Sequence, residues 1–367
     1  MPHVNDQPPV VNALLHQGRE ALRIAKMAGI ALVCAVSGGC AHHSSSGFTV
    51  AEVGSMHVGG KAVTLAGLPT REIVYSPGSP VVKVNPNGDF EAEQMYVQYI
   101  KQVAPKAKYP LLMWHGGGLT GVTWETKPDG LPGWQQFFLK AGHDVYVSDA
   151  VERGRASWSR YPEIFKSEPF FRTKKDAWEL FRIGPADSYQ TDPAARVKYD
   201  NTQFDVRAFD QFAKQSVPRW ATNDAPTQAA YDQLVQKVCP CVILVHSQGG
   251  NFAFTAALTA PDKIKAVVAI EPSGAPDPTK TDLSALKGIP HLFVWGDHLE
   301  KSTFWNSVSG QLRNFSQAVG RQGGVSDWIS LPQQGIAGNS HMLMMDRNSD
   351  QIAEKIQEWM ARHGLMR

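Results

Sequence analysis

The chain has 367 residues, with 36 Lys and Arg against 34 Asp and Glu, a formal net charge of +2. Hydrophobic residues make up 43% and charged residues 19%, the balance of an ordinary globular protein. That length is one large domain, or a domain with an insertion, with room for a sizeable core. The near-neutral balance gives no concentrated basic face, so nucleic acid is not an expected partner, and Lys174-Lys175 reads as a solvated patch.

The N-terminus departs from this average. Arg19, Arg23 and Lys26 precede the apolar run MAGIALVCAV (27–36), followed by SGGCAHHSSSG. Positive charge, a short apolar core and then small residues is the layout of an export signal over 1–40, with an amphipathic helix as the alternative. Ten apolar residues are too few to span a bilayer as a helix. Ala35-Val36-Ser37 suits ordinary signal peptidase. VSGGC resembles a lipobox ending at Cys40, with Ser37 where Leu or Val is usual, so a membrane anchor is expected only if Cys40 is lipidated. Residues 41–60 are rich in Gly, Ser and His and read as a linker, with His42-His43 as polar filler.

The catalytic body is expected over 61–367. REIVYSPG (71–78) and EAEQMYVQYIK (91–101) read as strands separated by turn signals, an antiparallel entry. YPLLMWHGGG (109–118) is a buried strand ending in glycines, and LTGVTWETKPDG after it reads as a loop. GWQQFFLKAG (133–142) is a helix capped by Gly142, and HDVYVSD (143–149) is the next strand. Residues 241–246 form a strand with NFAFTAALTAP (251–261) as its helix. IKAVVAIEPSG (264–274), IPHLFVWGDH (289–298) and SDWISLP (326–332) are three more strands. The C-terminal segment places Ile352, Ile356, Trp359 and Met360 at helical spacing. Strands alternating with helices imply an α/β fold, a mostly parallel central sheet covered on both faces, with ligands beyond the carboxyl ends of the strands. Residues 151–225 break the rhythm. Part is the helix before the next strand, and the rest is an aromatic-rich cap that either lines an apolar pocket or binds itself to the body. Cys239 and Cys241, in C-P-C, allow a tight disulfide or two buried thiols, and two ligands are too few for a metal.

Four apolar residues run into His246-Ser247-Gln248-Gly249 and then a helix. A strand turning sharply into a helix lifts one side chain clear of the sheet, and small neighbours are needed there. The string fits x-S-x-G, although Val245 stands where G-x-S-x-G has its first glycine. A helix-capping serine is the bland alternative. A serine nucleophile needs a base, and His341, in the Gly- and Asn-rich loop before the last helix, is the candidate, with His298 as its rival. The acid that orients the base is Glu271 or Asp297, both at strand ends, and the residues alone leave that choice open. The oxyanion needs preorganised donors, which the backbone N–H of Gln248 and the loop Gly116, Gly117 and Gly118 can supply. A phosphate cradle would need a helix starting at once and usually a Lys.

HGGGLTGVTWETKPDG, GWQQFFLKAG, ERGRA, FRIGP, HSQGG, EPSG, WGDHLE and GNSHMLMMDRN, spread over about 110–350, resemble the α/β-hydrolase superfamily. Within it they are similar to a bacterial exported esterase group typified by an Alcaligenes esterase with an atypical Ser-Glu-His triad. The resemblance implies Ser247, His341 and Glu271 as triad, Gly117 and Gln248 as oxyanion donors, a carboxylic ester as small-molecule substrate, an acyl-enzyme, no metal or organic cofactor, and a periplasmic or secreted location. It departs at Gly117-Gly118, where that esterase has a Cys pair, which implies a more flexible loop unless packing fixes it. The same residues would serve an acyltransferase, lactonase or amidase. A non-catalytic exported binding protein on this scaffold is the other class, and the complete set of candidate residues counts against it.

Overall fold

A computed structural model describes residues 47–367. The export signal over 1–40, the Cys40 lipobox and His42-His43 lie outside the described residues. Among the described residues ten strands run β1 (Val50–Leu65), β2 (Arg71–Ile73), β3 (Val82–Val84), β4 (Gly88–Gln102), β5 (Leu111–Trp114), β6 (Val145–Asp149), β7 (Cys241–His246), β8 (Ile264–Ile270), β9 (His291–Trp295) and β10 (Ser326–Ser330). The helices are α1 (Val122–Glu125), α2 (Trp134–Ala141), α3 (Lys174–Leu180), α4 (Phe209–Ala213), α5 (Asp224–Val238), α6 (Gly249–Thr259), α7 (Thr303–Arg321) and α8 (Ser349–Arg362).

Eight strands form one sheet in the order β1-β4-β6-β5-β7-β8-β9-β10, and β2 pairs with β3 in a separate two-stranded sheet. The β1–β4 and β4–β6 pairings are antiparallel, and every pairing from β6 through β10 is parallel. Parallel strands must be joined by crossovers, which cover both faces of the sheet with helices. Alternation along β5 shows the consequence: Leu111 and Met113 join one apolar cluster with α2 and α8, while Leu112 and Trp114 join the other with α5, α6 and α7. In α8, Ile352, Ala353, Ile356, Trp359 and Met360 are buried at the spacing of one helical face.

Three local expectations change. The stretch 41–60 is not a linker throughout, because β1 begins at Val50 and pairs with β4 up to Leu65. Along β1 only Val58 is buried, so this edge strand carries no apolar signature for a sequence reading to find. Gly59 lies at φ 74°, and a Cβ there would come within 2.9 Å of the Ala230 Cβ, which accounts for glycine inside a strand. The body therefore starts before residue 61. In 71–78 only Arg71–Ile73 is extended, and it belongs to the small separate sheet. The segment after the glycine run contains α1, anchored by buried Trp124, rather than loop alone.

Residues 151–223 cross over the carboxyl ends of the strands and carry α3 and α4. Trp178, Phe181, Phe204, Phe209 and Phe212 are buried there, in the same cluster as Leu111, Met113 and Val147 of the sheet. They join this segment to the body. Trp158, Tyr161, Phe170 and Phe171 are exposed. Cys239 and Cys241 form a disulfide that links the end of α5 to the first residue of β7.

Candidate active site

The register brings the ends of β5, β7, β8 and β9 side by side: Trp114 pairs with Val245, His246 with Ile270, and Ile270 with Val294. The next residue on two of these strands is forced out of β geometry. Ser247 sits at φ 53° and Glu271 at φ 42°, both in the left-handed region that L-residues rarely adopt. Each is held there by continuing the ladder, Ser247 N–H donating to Ile270 O at 3.1 Å and Glu271 N–H to Val294 O at 2.9 Å. Ser247 O in turn accepts from Ser273 N–H at 2.9 Å and from Gly250 N–H at 3.0 Å.

The missing first glycine of the elbow is explained by the second. A Cβ on Gly249 would lie 3.0 Å from His115 O, 3.1 Å from Trp114 O and 3.4 Å from the Val245 Cβ. Val245 fits because residue 249 has no side chain to meet it.

His341 follows β10 in a loop whose stretch 339–346 is buried. Its Nδ1 donates to Glu271 Oε2 at 2.6 Å, and its Nε2 has no hydrogen-bond partner among the described residues. The rings of Trp305, Phe181 and His246 surround it, with centroids 4.1, 5.4 and 4.5 Å away. His246 Nε2 donates to the backbone oxygen of His341 at 3.0 Å, and His341 N–H donates to Phe181 O at 2.8 Å. Burial, then the cations Arg182 and Arg172, hold the His341 imidazole well below its ordinary value, so it rests neutral.

Glu271 is fully buried but not alone. Its Oε1 pairs with Arg182 Nη2 and accepts from Gly296 N–H at 2.7 Å. Burial pushes the carboxyl up, and Arg182 opposes that first, followed by the Gly296 N–H. Gly296 must be glycine, since a Cβ there would lie 2.9 Å from Glu271 Oε1 and 2.8 Å from Asn339 O. Asp297 does not reach His341. Its Oδ1 accepts from His298 N–H and its Oδ2 from Gly338 N–H, each at 2.7 Å, so it ties the loop carrying His341 to the end of β9. His298 is likewise engaged elsewhere, stacked on Tyr199 at 4.0 Å with Nε2 on Asn201 Oδ1.

The glycine loop is fixed by packing. Ala150 N–H donates to His115 Nε2 at 3.0 Å, so the His115 proton lies on Nδ1, which donates to Gly116 O at 2.8 Å. A peptide is planar and trans, so turning the Gly116 carbonyl toward His115 turns the Gly117 N–H the opposite way. Burial lowers His115 to about 4, which keeps this tautomer through neutral pH. Val217 N–H holds Gly118 O at 3.0 Å, and Gly118 lies at φ 72°. A Cβ on Gly116 would come within 2.9 Å of the Ser247 Cβ and 2.8 Å of His246 Nδ1, and one on Gly117 within 3.1 Å of Gln248 Oε1. The loop is thus pressed onto the elbow, and the N–H groups of Gly117 and Gln248 have no acceptor among the described residues.

Two further buried residues, Arg182 and Asp346, support the site. Arg182 neutralises Glu271, and its Nε donates to Asp297 O at 2.8 Å. Asp346 accepts from Asn339 Nδ2 and Ser340 N–H, both at 2.9 Å, and from Ser340 Oγ at 2.8 Å, and so shapes the loop just before His341. Burial raises Asp346 to about 6. In the sequence Arg182 stands out only within FRIGP, as part of the resemblance, and Asp346 at the end of HMLMMD carries no signal of its own.

A serine on a strained strand-to-helix turn, at the carboxyl edge of a mostly parallel sheet, defines the α/β-hydrolase class, and the chain belongs to that superfamily. The family of the alpha/beta hydrolase fold matches residues 237–294, the span from the end of α5 through β7, the elbow and β8 into β9. A solved structure described as a novel bacterial esterase is 34% identical, covering 86% of this chain and 97% of its own, with a TM-score of 0.73. A probable secreted lipase of a fungal species is 26% identical over 334 residues, 74% of this chain and 87% of the relative.

Proposed function

We propose that the protein is a serine hydrolase that cleaves a carboxylic ester through an acyl-enzyme, with Ser247 as nucleophile, His341 as base and Glu271 as the acid that orients it. The observation that carries the reading is His341, its Nδ1 committed to Glu271 and its Nε2 without a partner among the described residues, its ring packed on His246 immediately before the strained Ser247 turn. Ser247 Oγ attacks the ester carbonyl, and His341 Nε2 takes the hydroxyl proton. Negative charge develops on the carbonyl oxygen, where the N–H groups of Gly117 and Gln248 are its donors. Collapse expels the alcohol, which leaves with the proton from His341. A water then repeats the sequence against the acyl-enzyme, releasing the acid and restoring Ser247. The imidazolium formed midway lies against Glu271, whose charge Arg182 sustains between turnovers. The esterase and lipase relatives support an ester as substrate. The lipase relative, described as secreted, and the Cys239–Cys241 disulfide support an exported protein.

Initial rates on p-nitrophenyl acetate and butyrate, for the parent and Ser247→Ala together, test this. Turnover by the parent with a loss of about a thousandfold or more in the variant is expected. Equal, background rates in both, with no labelling of the parent by a fluorophosphonate, would return the protein to the class of non-catalytic binders. Product analysis with added alcohol separates hydrolysis from acyl transfer.

A further inference from the structure

Arg219 stands against the glycine loop without a partner. A Cβ on Gly117 would lie 2.8 Å from Arg219 Nη1, closer than any other atom. Its Nε is buried with no hydrogen-bond partner, and no carboxylate forms an ion pair with Arg219 among the described residues. The side chain is half-buried, so it is neither freely hydrated nor neutralised.

The backbone around it is built to hold it there. Arg219 N–H donates to Phe170 O at 3.0 Å, and Phe170 N–H donates to Arg219 O at 2.7 Å, an isolated antiparallel bridge. Two residues earlier, Val217 N–H is bonded to Gly118 O. The same bridge sets Arg172 beside the loop, its Nε buried and unpartnered, 3.9 Å from where a Gly118 Cβ would lie. The two guanidiniums feel each other. Arg172 is pushed below its ordinary value by burial first, and the like charge of Arg219 adds to that. Arg172 has Asp176 as counter-ion, Arg153 has Glu152 and Arg182 has Glu271, which leaves Arg219 as the uncompensated cation of the group.

An unpaired guanidinium partly removed from water costs free energy that an incoming anion recovers, and its planar fork matches a carboxylate. We propose that Arg219, seconded by Arg172, binds a carboxylate carried by the substrate close to the scissile carbonyl, so that the preferred esters are monoanionic half-esters or acyloxy acids rather than neutral lipid-like esters. This rests on the acyl-enzyme reading above and adds the substrate class to it. The carboxylate can belong to either half of the ester, because the loop that Arg219 touches also holds the carbonyl oxygen.

The test compares kcat/KM for monomethyl succinate with dimethyl succinate, the acyl-side arm, and for acetoxyacetic acid with its methyl ester, the alcohol-side arm. A charged hydrogen bond predicts an anionic preference of about tenfold or more in one arm. Arg219→Gln should collapse that ratio toward one, and Arg219→Lys should keep part of it. Neutral esters cleaved with no anionic preference in either arm overturn the inference and leave the esterase reading standing. A preference that survives Arg219→Gln overturns the role of Arg219. Calorimetric binding of the four esters to Ser247→Ala reads the site without turnover. Tighter binding of an anionic ester, lost when Arg219→Gln is added, is expected, and equal binding overturns the inference whatever becomes of catalysis. If Arg219→Gln does not fold, Arg219→Lys carries the same comparisons.

Discussion

Replacing Glu271 by Gln changes one atom and reverses the logic of the base. In the parent, Glu271 Oε1 faces two donors, Arg182 Nη2 and Gly296 N–H, and Oε2 faces His341 Nδ1. A glutamine must therefore keep its carbonyl oxygen toward Arg182 and Gly296 and turn its NH2 toward His341. Nδ1 then becomes an acceptor, the imidazole proton moves to Nε2, and the nitrogen that receives the Ser247 proton in the proposed mechanism already carries one. A base locked in the wrong tautomer loses about ten-thousandfold in kcat, roughly 5.5 kcal/mol of barrier. Arg182 also loses its counter-charge in a fully buried place, a cost of about 3 kcal/mol that the retained carbonyl oxygen keeps near the lower end for a broken buried pair. Asp297→Asn is the matched control. It keeps one acceptor oxygen for Gly338 or His298 and never touches the imidazole, so kcat should stay within about tenfold of the parent. The assay is steady-state hydrolysis of p-nitrophenyl butyrate by folded protein, with thermal unfolding measured alongside. If Glu271→Gln keeps near-parental kcat while Asp297→Asn loses three decades or more, the assignment of the acid is refuted.

Gly116→Ala should abolish turnover and also lower stability by about 1–3 kcal/mol, since the added methyl falls on the Ser247 Cβ and on Nδ1 of the fully buried His246 ring. Kinetics and a melt on one preparation check it. Gly338→Ala should instead destabilise the protein by more than about 3 kcal/mol, read by denaturant unfolding, because its Cβ would be placed 1.8 Å from Asn201 O at a φ of 83°. The acid limb of kcat/KM should fall below the ordinary histidine value of about 6.5: His341 must be neutral to act, burial and Arg182 depress it, and activity is lost only as pH drops through that lowered value. A pH–rate profile with its limb above 7 would contradict this. Asp346→Ala leaves Ser340 N–H and Ser340 Oγ without their acceptor and Asn339 Nδ2 with Asn348 Oδ1 alone, and should cost about 2–4 kcal/mol together with a fall in kcat as the loop before His341 loosens.

Ser247 was legible because its geometry is encoded locally: an apolar strand, a serine and two glycines in nine consecutive residues. The glycine loop and His341 were legible for the same reason, as short strings rich in residues that bend the chain. Glu271 and Asp297 were not separable from the residues alone, because each ends a strand and the strands are neighbours in the sheet. What distinguishes them is the left-handed turn at Glu271, whose carboxylate meets Gly296 just beyond β9 and His341 in the loop after β10, and no composition rule gives a glutamate that conformation. Arg182 and Asp346 act through partners 89 and 6 residues away, contacts that only the folded chain creates. The first residues of β1 escaped notice for a different reason. An edge strand with one buried residue stabilises little apolar area, so selection leaves no periodicity on it.

The segment over the strand ends looks like a removable accessory, yet it supplies supports of the candidate site. Phe181 O holds the His341 N–H, Arg182 neutralises Glu271, Gln203 N–H holds Gly338 O at 2.7 Å, and Val217 N–H holds the glycine loop. For anyone grafting specificity between relatives, this means the crossover cannot be exchanged as a cassette. A transplant that spares only the strands and their loops would deliver a serine and a histidine with no charge balance behind them. The tolerable graft positions inside the segment are its exposed side chains, such as Trp158, Tyr161 and Phe171, with buried Phe165 and the Phe170–Arg219 bridge left in place.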